Sequence, residues 1–350
     1  MPTVTGSLPL WKDVKKLNLL ARDLSKAIQP LYFSSNYFTK KLFHNTDEIH
    51  FNKEDLTEGV SAFSHPLLPG KLIKRQGLKV NSMKPAYVKE SMVHNSIDNL
   101  EVLPTEDYLG SMSPAARERM IIGQNLVRLR TRLRNRIELM AIEAIKFGRA
   151  TIEGEGVSVL LEFERHKDLV RKTAKEDEKW SNLDHSILSQ LEDYKMKIKD
   201  HSRVGAIART VHLNHKTFSH LRQNKEIREM YDIRRGVRLG IELTPFQDFK
   251  DVEYAGNIGG FQFYIHSGRY REKGVEKPIL EDGEVLLTAD SIGGTRHYGR
   301  IISEMAGYRA MEYFIRPYRN EHLESKNYEL HSAPLLIPHD VNATAYFKAL

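Results

Sequence analysis

Between Ser113 and Gly148 apolar residues recur every three or four positions: Ile122, Leu126, Leu129, Leu133, Ile137, Met140, Ala144 and Phe147. That spacing lays one apolar stripe along an α-helix. Ser113 can cap its start, Pro114 suits the first helical position, and Gly148 can end it in a left-handed conformation. At about 1.5 Å per residue such a helix is roughly 50 Å long. Inside it, Val127–Ile137 alternates with a period of two and alone reads as a strand. The flanks keep helical spacing, and Arg and Leu are good helix formers, so the helix is expected to run through.

The pattern before this helix is different. Residues 1–45 read as an arm. Trp11, Leu17, Leu19, Leu20, Leu24 and Ile28 have loosely helical spacing closed by Pro30, and Tyr32, Phe33, Tyr37, Phe38 and Phe43 follow as rings that anchor the arm on its own core. Glu48–Glu54 reads as a short strand. From Gly59 to Pro85 the chain is punctuated by Pro66, Pro69-Gly70, Gly77 and Pro85, with Leu72, Ile73, Leu78 and Val80 between them and Lys71, Lys74, Arg75, Lys79 and Lys84 adding positive charge. This predicts a long two-stranded hairpin. An isolated hairpin is marginal in water, so it needs a surface to lie on, and a neighbouring copy of the chain supplies one.

After the long helix, Thr151–Glu164 reads as a hairpin with Val157, Val159, Leu161 and Phe163 alternating. Glu176–Asp200 reads as a polar helix, Ala206–Leu213 as a strand and Lys216–Tyr231 as a helix. Val252–Tyr270 is strand-rich around Gly256, Gly259 and Gly260. Asp282-Gly283 is a turn leading into Val285-Leu286-Leu287. The apolar segment Ser332–Pro338 is expected to return as a strand to the first core. Helices and strands segregate rather than alternate, which predicts an α+β fold.

Composition narrows the function. The 350 residues are 40% hydrophobic and 28% charged, ordinary for a globular chain. No apolar run approaches the roughly 18 residues of a membrane span, and no signal peptide is expected. The absence of cysteine removes disulfides, thiolate zinc sites and thiol nucleophiles, and fits assembly in a reducing cytosol. The net charge of +7 is modest beside 53 basic and 46 acidic residues, so ordinary solvated charge is a better reading than a dedicated polyanion binder.

Candidate chemistry is sparse. His212, His215 and His220 lie close together in VHLNHKTFSH, but a strand-to-helix break separates them, so satisfied or exposed histidines are the favoured reading over a metal site. The glycines of Gly256–Phe261 lack phosphate-loop spacing and suit a strand bend. No serine-hydrolase, zinc-protease or kinase signature is present. No catalytic, cofactor-binding or metal-ligating residue is therefore expected, and no enzyme activity. Arg128, Arg130, Arg132, Arg134 and Arg136 are the strongest charge signal. A helix scatters alternate residues around its axis, so they are expected to form salt bridges within or between subunits, with contact to a packaged polyanion secondary.

Four blocks together resemble the major capsid protein E family of tailed bacteriophages. They are Pro66, Gly70, Ile73, Gly77 with Pro85, Tyr87, Val88, Lys89; Pro114-Ala115, Arg117, Arg119, Ile121-Ile122, Gln124-Asn125, Glu138, Met140, Ala144 and Gly148; Ser267-Gly268, Tyr270, Gly274-Val275, Lys277, Leu280, Asp282, followed by Arg296, Tyr298 and Gly299; and Ser332-Ala333-Pro334-Leu335. The resemblance implies an α+β fold of the Hong Kong 97 (Johnson) type. It implies an N-terminal arm over 1–45, a P-domain strand over 46–60 and an E-loop over 61–84. The P-domain would continue over 85–179 with a spine helix at 113–148, the A-domain would cover 180–320, and residues 321–350 would return to the P-domain.

By the same resemblance the chain is a non-enzymatic head protein, found in the virion and in the host cytoplasm during assembly, that builds an icosahedral shell around double-stranded DNA. Its partners would be its own copies in hexamers and pentamers, with a scaffolding protein, a portal, a decoration protein, and the packaged DNA contacted non-specifically; no membrane partner is implied. Intersubunit contacts would come from Pro66, Gly70, Lys71, Ile73, Lys74, Arg75, Gly77 and Lys79 of the E-loop and from the five arginines of the spine helix. An encapsulin-like compartment shell is the alternative. A basic DNA-binding protein and a histidine-metal hydrolase are weaker rivals.

Overall fold

The computed structural model describes residues 13–26, 30–53, 79–99, 113–154, 157–234, 249, 251–272, 274–320 and 325–350. Within them lie helices α1 (Val14–Lys26), α2 (Tyr32–Tyr37), α3 (Pro114–Phe147), α4 (Ile187–His201), α5 (His215–Gln223) and α6 (Lys225–Arg234).

Helix α3 begins and ends where its terminal residues dictate. Ser113 Oγ accepts the Ala116 N–H at 3.3 Å, and Pro114 fills the first turn. Gly148 turns left-handed at φ 65°, its N–H donating to Ala144 O at 3.0 Å. A Cβ on Gly148 would also stand 2.6 Å from Arg165 and 2.9 Å from Val341, so glycine is required twice over. Ile122, Leu126, Leu129, Leu133, Ile137, Met140 and Ala144 are all buried, and Phe147 is half-buried. The segment with two-residue alternation is helical because its leucines fall on that stripe and join the shared core.

Helix α1 crosses α3, burying Leu17 and Ala21. Its Asn18 amide pairs with the backbone of Ile315 in both directions, at 3.0 Å and 2.9 Å, covering the edge of the strand Phe314–Asn320. Helix α2 has no side-chain cap of its own. The Glu138 carboxylate on α3 supplies one instead, accepting the N–H groups of Phe33 at 2.7 Å and Ser34 at 2.8 Å. Phe33, Tyr37 and Phe38 are buried, as the anchoring reading expects; Phe43 is exposed and stacks on Tyr298. Trp11 and Ile28 lie outside the described residues.

A mixed six-stranded sheet sits at the centre, in the order Val170–Arg171, Thr344–Lys348, Glu284–Ala289, Ala208–Leu213, Phe261–His266, Val252–Ile258. Every residue of Glu284–Ala289 is buried, as befits a strand flanked on both edges and covered on both faces. Lys40–Phe43, Gly294–Tyr298 and Pro334–Pro338 form a second sheet, and Phe314–Asn320, Ser325–Ser332 and Val88–His94 a third. Two-stranded ladders join Ile49–Lys53 to Lys79–Met83, Arg149–Gly154 to Val157–Glu162, and Arg269–Glu272 to Val275–Pro278. One continuous hydrophobic core links α1, α2, α3, α4 and the central sheet. The α+β class is as the sequence predicts.

Several local expectations change. The helix expected over Glu176–Asp200 starts only at Ile187, capped by Ser186, because the preceding turn sends Trp180 into the core with its indole N–H donating to Gln190 Oε1 at 2.8 Å. The helix expected over Lys216–Tyr231 breaks at Asn224, whose buried amide donates to the carbonyls of Leu183 and His185. The expected strand Ser332–Pro338 forms over Pro334–Pro338, buried against α3, with Ser332 ending the preceding strand of another sheet; the last strand, Thr344–Lys348, enters the central sheet. In the hairpin Arg149–Gly154/Val157–Glu162 the alternation buries Ala150 and Ile152 of the first strand, whereas in the second Val159 and Leu160 are both exposed, Leu161 is half-buried and burial is reached at Phe163, just past the strand. Gly259 and Gly260 have φ 59° and 85°, so together they make the two-residue turn that pairs Ile258 with Phe261.

Candidate assembly surface

The basic hairpin is rooted in the ladder Ile49↔Met83 through Lys53↔Lys79. Ile49 and Met83, the pair at its base, are buried in the main core, so the body grips the root firmly. Asp47, just before the first strand, pairs with Arg300. Lys79 begins the returning strand, opposite Lys53. Pro66, Gly70, Lys71, Ile73, Lys74, Arg75 and Gly77 lie outside the described residues.

The five arginines of α3 do not form a single stripe, yet they are not scattered evenly. At about 100° per residue, Arg128, Arg132 and Arg136 fall on one face and Arg130 and Arg134 on the opposite one. The first three are exposed. Arg132 makes a two-pronged pair with Glu90, at 2.7 Å and 2.8 Å, and Arg136 stands 3.9 Å from Glu272. Arg132 and Arg136 line an open cleft of about 1060 Å³ with Arg149, Arg271, Glu143 and Glu272.

On the opposite face Arg130 is buried. Its guanidinium lies 3.5 Å from the centroid of the Tyr313 ring and 3.6 Å from Glu312, whose other oxygen accepts from Lys41 at 2.8 Å. Burial pushes the Glu312 carboxyl up, but Lys41, Arg130 and Arg296 together outweigh it and hold the group below its usual range. Burial and the neighbouring Arg130 lower the Arg134 guanidinium. Arg130 therefore helps bind the body of one subunit together, while Arg128, Arg132 and Arg136 lie at its surface, the last two paired with Glu90 and Glu272.

The sequence offered no sign of a second polar centre, which joins α3 to the central sheet. Lys146 Nζ donates to Glu284 Oε2 at 2.5 Å and to Ile279 O at 3.1 Å, and Glu284 also accepts from Tyr346 Oη and the Glu281 N–H, each at 2.7 Å. Arg165 caps the C-terminus of α3, donating to Lys146 O at 2.9 Å, and reaches Thr344 O at 2.6 Å. The last turn of the helix, the strand beginning at Glu284 and the final strand are thus pinned at one place.

His212, His215 and His220 do not converge. His212 is buried in the central sheet, with Nδ1 at 3.0 Å from His266 Nε2 and Nε2 at 2.9 Å from Tyr37 Oη, whereas His215 starts α5 in solvent. Burial drives both buried rings towards the neutral form, His266 down to about 3, with Lys146 adding to the effect there. His297, 2.8 Å from His44, is pushed down to about 4 by burial and by His44. These rings take up protons more readily when unfolded. Their contribution is complete above the unfolded value near pH 6.5 and declines as pH falls from there towards about 4 and 3. Urea midpoints measured between pH 7.5 and 4.5 are expected to begin falling near pH 6.5, and His297→Gln to reduce that early fall. A midpoint unchanged down to pH 5 contradicts this.

The chain is similar to capsid proteins over almost its whole length. The phage major capsid protein E family matches residues 20–349. The major capsid protein of Escherichia phage lambda is 26% identical over 286 residues, covering 81% of this chain and 82% of that one. The corresponding protein of Escherichia phage N15 is 27% identical over 270 residues, covering 76% and 77%. A crystal structure of an Escherichia coli CFT073 prophage protein assigned as a capsid protein superposes with a TM-score of 0.73 at 22% identity, covering 97% of this chain and 99% of that one. The fold is therefore the Hong Kong 97-type α+β capsid fold. By its sequence match over residues 20–349, the chain belongs to the phage major capsid protein E family, whose members build the heads of tailed phages and are components of the virion.

Proposed function

We propose that this subunit closes its shell by laying the basic segment 61–84 on a neighbouring copy, as an E-loop, while α3 acts as the spine of a P-domain. The A-domain then comprises residues 180–320 at the centres of hexamers and pentamers; of the expected return over 321–350, Pro334–Pro338 packs against α3, while Thr344–Lys348 stays in the central sheet. The observation that supports this reading most directly is the hairpin root: Ile49 and Met83 are locked in the core at the base of a ladder that includes Lys53 and Lys79. Many such contacts of modest strength, repeated around a closed shell, resist dissociation collectively. The exposed arginines Arg128, Arg132 and Arg136 supply further charge contacts between subunits, and packaged double-stranded DNA is held without sequence preference. A scaffolding protein and a portal direct closure in the host cytoplasm, and a decoration protein is a further partner of the finished shell.

The test is to replace residues 58–76 by a short Gly-Ser turn, leaving both strands of the root intact. The variant is expected to remain soluble and melt cooperatively, with the wild-type Tm to within a few degrees. Electron microscopy is expected to find no closed particles. Normal shells from this variant would remove the segment from the assembly mechanism.

A further inference from the structure

The fold brings together a histidine cluster that is unrelated to the one suggested by the sequence. His166 precedes the single 3-10 turn Lys167–Leu169, and His201 is the last residue of α4. Their rings stack with centroids 3.6 Å apart and planes 16° from parallel. Asp168 Oδ2 lies 3.6 Å from His166 Nδ1 and 3.9 Å from His201 Nε2. The donor atoms of the three residues all lie within 4.8 Å of one another.

We propose that His166, Asp168 and His201 bind one divalent transition-metal ion of the zinc class, leaving a coordination position for water. Two imidazoles and one carboxylate are a donor set suited to such an ion rather than to magnesium or calcium, which favour all-oxygen surroundings. Ligand distances of about 2.0–2.1 Å in a tetrahedral site place donors roughly 3.4 Å apart. The observed separations from Asp168 need to shorten by only a few tenths of an ångström, and the two rings, now face to face, must turn out of their stack so that both lone pairs point at the ion. The ion would replace the long contact, 3.4 Å, that His166 Nδ1 now accepts from the Asp168 N–H.

The surroundings hold both sides of the site in place. Asn342 Oδ1 accepts the His166 N–H at 2.9 Å. The buried Asp340 accepts from Ser202 Oγ at 2.6 Å and the Arg203 N–H at 3.1 Å, just after His201, and its other oxygen accepts the Asn342 N–H at 3.1 Å. One short segment, Asp340–Asn342, thus fixes the backbone at His166 and just after His201. Bound metal would clamp the end of α4 to the turn that leads into Val170–Arg171, the edge strand of the central sheet. It would act as a structural cross-link within one subunit, and it does not depend on how subunits contact one another.

The experiment uses the full-length, unassembled subunit stripped with chelator, then supplied with Zn²⁺, and separately with Co²⁺ as a spectroscopic probe. Wild type is expected to retain one more equivalent of metal after desalting than the His166→Ala/His201→Ala variant. It should show visible Co²⁺ bands that this variant lacks. Zn²⁺ at a hundredfold excess over its dissociation constant is expected to raise Tm by about 4 °C in wild type only. Asp168→Asn, at an exposed position, should weaken Zn²⁺ binding at least tenfold without altering the fold, and so keeps the test decisive if the double variant is unstable. His215→Ala, in solvent on α5, should behave as wild type. Equal metal content and equal Tm shifts in wild type, the double variant and Asp168→Asn would overturn the proposal.

Discussion

Leu133→Asp is expected to leave almost no soluble, folded subunit. Leu133 is 1% exposed in the middle of the apolar stripe of α3, where the helix meets the main core. Aspartate there removes the leucine packing, worth about 3 kcal/mol, and adds a carboxylate with no partner, worth several more. Since domains of ordinary stability unfold at about 5–15 kcal/mol, this single change consumes most of the margin. Arg132→Ala, one position away on the exposed face, removes only the surface pair with Glu90 and is expected to cost at most about 1 kcal/mol. Soluble yield and urea midpoints compare the two. Equal behaviour would mean that Leu133 does not hold the core.

Lys146→Met is expected to destabilise the subunit by about 3–5 kcal/mol, because it leaves Glu284 buried beside an uncharged neighbour. In the wild type, burial raises the Glu284 carboxyl, but the Lys146 ammonium outweighs it and holds the group below its usual 4.5. Its stabilising contribution is therefore complete above pH 4.5 and lost as pH falls through the lower, folded value. In the variant only the hydrogen bonds from Tyr346 and the Glu281 N–H still oppose burial, so the folded value is expected to rise above the unfolded one and the sign to reverse. The deficit relative to wild type should then shrink as pH falls from 7.5 towards 5. Lys146→Met/Glu284→Leu should recover part of the loss, since removing both charges avoids the orphaned one. A deficit independent of pH, or a double variant as unstable as the sum of the single changes, would show that the pair is not the source of the effect.

Both predictions concern α3, and they differ in how far the sequence reveals them. The stripe containing Leu133 follows from helical spacing, and the helix ends follow from Ser113, Pro114 and Gly148, because these are local rules. The Lys146–Glu284 pair joins residues far apart in the chain, and no spacing announces it. The same holds for Glu138, which the resemblance marked only as a matching position. The fold shows it to be the cap of α2, a helix that lacks one of its own. His166, Asp168 and His201 were equally invisible, since His201 reaches the other two only when α4 turns back along the sheet. The histidines adjacent in sequence, His212, His215 and His220, were easy to notice and are separated by the change from buried strand to exposed helix.

The arginine run lies between these cases. Its alternate spacing excludes a single stripe, and the 100° step already divides it into two faces. Only the packed neighbours determine that Arg130 is buried over Tyr313 while Arg132 remains at the surface. Taken alone, the sequence determined the long helix and its limits, the short strand that ends near Lys53, the α+β class and the likeness to capsid proteins, all of which depend on periodicity, caps, turns or motif order within short windows; that this strand pairs with Lys79–Met83 came from the fold. The tertiary structure alone decided which sheet each C-terminal strand joins, which charges are buried as pairs and which imidazoles converge. Those outcomes depend on contacts between distant segments, and their energies arise only when packing excludes water from both partners at once.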